Sequence, residues 1–159
     1  EYWPKVDSFN IHDDWGAQKA PFFSEEVAYE FFVPFMRQLT GHIHSKGRFT
    51  TLHSCGHVED RCDIFVEAGF DAWSPMSMND TAALYDKYGD KICIGVVNPF
   101  TFDPKPATEE EQRECARKFV ERFCKPGTMV SCSMYGPYAT PAFKEELYKQ
   151  SRIAYSQGK

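Results

Sequence analysis

The run Lys91-Ile92-Cys93-Ile94-Gly95-Val96-Val97 decides how the rest of the chain is read. It is short, nearly continuous in β-branched residues and lacks the polar alternation of a strand with one wet face, so it predicts a parallel strand buried on both faces. Parallel strands need crossover connections, and helical patterns stand on both sides of it. Upstream, a short helix through Ala82 and Leu84 stops at Gly89. Downstream, Thr108 and Glu111 form a capping box that opens a helix whose Cys115, Phe119 and Phe123 share one side.

The same alternation continues in both directions. Toward the N-terminus lie Asp71-Ala72-Trp73-Ser74, then a helix ending at Gly69 that buries Val58, Cys62, Phe65 and Ala68, then the strand Arg48-Phe49-Thr50-Thr51-Leu52-His53. Before that strand, Ser24 with Glu25 and Glu26 behind it predicts an N-cap, and Val27, Phe31, Phe35 and Leu39 recur at helical spacing. Pro34 is expected to kink this helix. The first strand is Ser8-Phe9-Asn10-Ile11-His12. Toward the C-terminus, Thr128-Met129-Val130-Ser131-Cys132 is a fifth strand, and a last helix opens at Thr140-Pro141 with Phe143 and Leu147 facing in. About five βα units follow one another, which implies an α/β fold with either an open doubly wound sheet or a (β/α) barrel. Roughly eight units close a barrel, so the barrel reading makes this chain the C-terminal part of a TIM-like (β/α)8 barrel, one domain over 1–159 with the N-terminal part missing. A first residue of Glu1 and a first strand with almost no lead-in fit that expectation.

Composition removes several classes of function. A net charge of −5, with no face that concentrates Lys and Arg, leaves no footprint for nucleic acid or for an anionic membrane surface. No apolar run approaches the roughly 18 residues of a membrane-spanning helix, and Glu1-Tyr2-Trp3-Pro4-Lys5 is not a secretory leader, so the expected compartment is the cytoplasm. Six cysteines without scaffold spacing are expected to be mostly reduced thiols.

In either parallel architecture, chemistry gathers where strands end and βα loops begin. The first strand ends in His12-Asp13-Asp14, the second in His53-Ser54-Cys55-Gly56-His57, the third near Ser74, the fourth at Asn98 and the fifth at Cys132. His53 and Cys55 are two residues apart, so their side chains aim the same way while the backbone stays extended. Cys132 is the cysteine that ends another strand in the same sense. Together the three supply the ligands of a catalytic zinc that keeps one position open. The competing interpretation is that H-x-C is a chance pattern and the cysteines are small buried hydrophobes. Asp13 and Asp14 are candidates for catalytic acid or base, for substrate hydrogen bonding or for an oxygen ligand; helix capping is the plainer role. His12, Trp15 and His57 are candidates for contact with substrate.

Four segments carry a resemblance to a known family: Asp13-Asp14-Trp15-Gly16, the Pro21 to Ser24 run before the kinked helix, His53-Ser54-Cys55-Gly56, and Glu67-Ala68-Gly69-Phe70-Asp71-Ala72. Together they resemble the uroporphyrinogen decarboxylase family, nearly throughout the chain. The resemblance implies a (β/α) barrel much longer than 159 residues and one of two activities. One branch decarboxylates uroporphyrinogen without a metal. The other moves methyl groups between corrinoid proteins and thiols, with zinc on an H-x-C pair and a distant cysteine. His53 and Cys55 match the pair, and Cys132, 77 residues beyond Cys55 (132 − 55), matches the third ligand. Where the decarboxylases carry a Gly-His-Gly-like segment this chain reads Ser131-Cys132-Ser133-Met134, which favours the methyltransferase branch. The expected cofactors are therefore zinc and a corrinoid carried by a partner protein, with a small methyl donor or thiol acceptor. A carboxy-lyase and a non-catalytic barrel fragment are the alternatives. Exposed sheet edges predict association with another copy or with the rest of the barrel.

Overall fold

The computed structural model describes residues 3–100, 107–133 and 138–156. Its five strands are β1 (Ser8–His12), β2 (Phe49–Ser54), β3 (Ala72–Pro75), β4 (Cys93–Val97) and β5 (Val130–Ser133). All pair in parallel, in the order β1-β2-β3-β4-β5. A doubly wound sheet reverses its order at a switch point, and this one does not. Right-handed crossovers that always step in one direction place every connecting helix on the same side of the sheet, as in the wall of a (β/α) barrel.

The helices are α1 (Glu25–Val27), α2 (Val33–His44), α3 (Cys62–Glu67), α4 (Thr81–Tyr88), α5 (Glu109–Phe123) and α6 (Pro141–Ser156). Side chains fix where three of them begin. Ser24 accepts from the Val27 amide, Asp80 from the Ala83 amide, and Thr108 and Glu111 form the reciprocal capping box. Between sheet and helices lies the main core, with Trp15, Leu52, Phe65, Trp73, Ile94, Val96, Phe119 and Phe123 almost wholly buried. All six cysteines are free thiols. No helix among the described residues is long and apolar enough to cross a membrane.

Two expectations for the helix that follows β1 change. Ahead of Pro34 the chain widens into a π-helical turn over Ala28–Phe32, closed by the Val33 amide on the Ala28 carbonyl, and Pro34 then sits in the first turn of α2. The Val27, Phe31, Phe35 and Leu39 stripe faces outward, with Phe31 57% and Phe35 66% exposed. The residues that meet the core are instead Ala28, Phe32, Val33, Met36, Thr40 and Ile43. Thr40 lies in this inward set because its hydroxyl donates to the Ala68 carbonyl at 2.8 Å.

Candidate metal centre

The inner face of the sheet is set by strand alternation and parallel register. His12 pairs with His53, and His53 with Ser74, so the three lie side by side at the carboxyl ends of β1, β2 and β3. His53 Nδ1 lies 3.0 Å from the Ser74 carbonyl oxygen. A carbonyl only accepts, so Nδ1 is the donor in this bond, which leaves Nε2 as the nitrogen the ring can offer to a metal. That nitrogen is 3.5 Å from Cys55 Sγ. Ligands bound to zinc at about 2.0–2.1 Å through nitrogen and 2.3 Å through sulfur, at a tetrahedral angle, stand about 3.6 Å apart. The pair therefore fits zinc, and the Ser74 carbonyl is the outer partner that fixes the tautomer of a metal-binding imidazole.

Asp14 completes a group of three. One donor atom from each of Asp14, His53 and Cys55 lies within 4.8 Å of the others. The Cys55 amide donates to Asp14 Oδ1 at 2.8 Å, and this bond is the main reason the Asp14 carboxyl is held below its ordinary pKa. The carboxylate in turn pushes the Cys55 thiol above its ordinary value, with burial adding to the effect.

The two loops that carry these groups are locked together. The Trp15 amide donates to Ser54 Oγ at 3.0 Å, the Asp13 amide to the His53 carbonyl and the His57 amide to the Ala17 carbonyl. Behind Cys55, Gly56 has φ +92° and presses on the backbone of Gly16; any side chain at Gly56 would overlap it. Asn79, buried, accepts from the Val58 amide and donates to the carbonyls of Gly56 and Met76. The backbone carbonyl of Ser74, the Ser54 hydroxyl and Asn79 were not singled out from sequence. A main-chain carbonyl leaves no residue-type signal, and a Ser or Asn in a loop looks like any turn residue.

The other expected site residues divide. His12 is exposed on the same face, its ring 5.0 Å from that of His53, and its Nε2 accepts from Asn10 Nδ2 at 3.0 Å. Asp13 is occupied structurally, accepting the Trp15 indole N–H at 2.9 Å. Trp15 is completely buried among Phe23, Phe32 and Phe65, so it offers no surface to a substrate. His57 pairs with Glu59 at 3.2 Å and stands outside the donor group.

Cys132 is not with His53 and Cys55. It pairs in register with Val96, a fully buried residue of the helix-facing side, and it packs against the small core of Cys115, Ala116 and Phe143. Burial pushes its thiol up to about 12. The reason is strand parity: β5 runs on to Ser133, which turns Ser131 and Ser133 inward and Cys132 outward. Met134, next in the segment compared with the decarboxylases, lies outside the described residues.

No family model matches the chain, and no curated protein sequence does. Among solved structures, a methyltransferase from Methanosarcina mazei has a similar fold, with a TM-score of 0.56 at 17% identity. The match covers 94% of this chain and 42% of the neighbour, so the chain spans less than half of that protein's length. It establishes the fold: an α/β chain built as part of a TIM-like barrel.

Proposed function

We propose that this chain is part of a zinc-dependent methyltransferase of the uroporphyrinogen decarboxylase type, which moves a methyl group between a corrinoid protein and a thiol or methylated substrate. The observation that carries the reading is the His53–Cys55 pair, with the imidazole held through Nδ1 on the Ser74 carbonyl so that Nε2 stands 3.5 Å from sulfur at the mouth of the barrel wall. The methyltransferase fold of the structural neighbour and the family resemblance of the loops support it.

Zinc bound there would supply Lewis acidity, keeping an acceptor thiol as thiolate near neutral pH or polarising the leaving group of a methylated substrate. The protein's own residues do the rest. Ser74 orients His53, Asp14 fixes the Cys55 amide, and Asn10 holds the His12 ring beside that of His53. In the thiol reaction a sulfur–carbon bond forms while the donor's bond to methyl breaks. The electron pair of that bond would stay with the methyl donor, and the thiol proton would leave to solvent.

Metal analysis tests the reading directly. The purified chain should hold about one zinc, and His53→Ala and Cys55→Ser should each lose it while remaining folded. A zinc-free, folded wild type that converts uroporphyrinogen would replace this reading with the carboxy-lyase.

A further inference from the structure

We propose that Asn79 is a positioning residue of this centre: from the loop after β3 it holds the turn behind Cys55, so that sulfur and the His53 nitrogen stay one zinc-bridging distance apart. The proposal deepens the metal reading above and rests on it.

Both members of the pair are referred to the end of β3. His53 is held there through Nδ1, 3.0 Å from the Ser74 carbonyl oxygen. The ladder with β3 stops at Ser54 and Pro75, one residue before Cys55, and Gly56 then turns the chain at φ +92°. Asn79 takes over where strand pairing ends. Its Nδ2 donates to the Gly56 carbonyl at 3.0 Å and to the Met76 carbonyl at 2.9 Å, while its Oδ1 accepts from the Val58 amide at 2.9 Å. Its own amide donates to the Met76 carbonyl at 3.1 Å. One side chain thus brackets His57 and joins the loop after β2 to the loop after β3. Asn79 is 4% exposed, so water cannot readily replace these bonds. The Cys55 amide is tied to Asp14 on the side of β1, and Asn79 supplies the tie on the side of β3.

The distance held in this way is the one a metal needs. Nε2 and Sγ stand 3.5 Å apart, against about 3.6 Å for two ligands of one tetrahedral zinc. Without Asn79 the turn can carry Cys55 away while His53 stays on Ser74. Groups that only orient metal ligands are worth roughly ten- to hundredfold in affinity.

Competition with a chromophoric chelator gives zinc affinity, and the d–d absorption of bound cobalt(II) reports the geometry around the ion. Asn79→Ala should weaken zinc binding by about tenfold or more and alter the cobalt band. Asp80→Ala, which removes the side-chain cap of α4 at the next residue, should lower stability yet keep wild-type affinity and band. Coupling is reciprocal, so zinc should also slow hydrogen exchange at the Val58 amide of wild type, a measurement that does not require Asn79→Ala to fold. Wild-type affinity and band in folded Asn79→Ala, an equal loss in Asp80→Ala, or a Val58 amide whose exchange zinc leaves unchanged would each overturn the proposal. A folded wild type that takes up neither metal would remove the metal reading itself, and this proposal with it.

Discussion

At the scale of single residues, the site depends as much on what surrounds the donors as on the donors. Gly56 carries both a positive φ and a backbone contact that leaves no room for a Cβ, so Gly56→Ala should destabilise the chain by at least about 2 kcal/mol, as read by chemical denaturation. Away from the site, Asp71 accepts from His44 Nε2 at 2.8 Å and from the Thr50 amide and hydroxyl at 2.7 and 3.0 Å. Burial raises its pKa, but the bonds from His44 and Thr50 outweigh that and the net shift is downward. A depressed folded pKa means that its contribution is present above the unfolded value of about 4 and is lost as pH falls through the folded value. Asp71→Asn should therefore cost about 1 kcal/mol near neutral pH and flatten the acid limb of a stability–pH curve. An unchanged acid limb in the variant would show that other carboxylates govern it.

At the scale of elements, strand parity and helix phase decide what each segment does. His53 and Cys55 were legible as a pair because an extended chain repeats every two residues, and the strand ending at Ser54 keeps that geometry. Cys132 was misplaced by the same rule: β5 ends one residue later than its sequence suggests, and the inward positions become Ser131 and Ser133. The helix after β1 shows the corresponding ambiguity. Two apolar stripes run along it, one position apart, and the sequence does not say which meets the sheet. The inward stripe is the one whose Thr40 bonds the Ala68 carbonyl. Asp14 read as an acid of several possible uses, and only its placement beside the Cys55 amide singles it out from Asp13.

At the scale of the whole molecule, the sheet is a barrel wall with two open sides. Among the described residues β1 pairs with β2 alone and β5 with β4 alone. Phe49, on the inner face beside Ser8, is 63% exposed, and Phe31 and Phe35 face outward from the helical segment that follows β1. An edge strand without proline or charge, and an exposed apolar helix face, are both sites for pairing. The chain should therefore self-associate in light scattering at high micromolar concentration, and Phe31→Glu with Phe35→Glu should shift it toward monomer without loss of helical signal. A monodisperse wild-type monomer would refute this.

The sequence by itself determined that five βα units follow one another, because strands and helices are encoded by contiguous periodicity, caps and turn residues; the π-helical turn over Ala28–Phe32 was not among them. It also placed His53 and Cys55 two residues apart at one strand end, where an extended chain aims both side chains the same way. The direction of the strand order, the burial of Trp15, the outward turn of Cys132 and the approach of Asp14 to Cys55 were decided only by the tertiary structure. Each depends on register between segments distant in the chain, which side-chain packing across the sheet sets and no local pattern records.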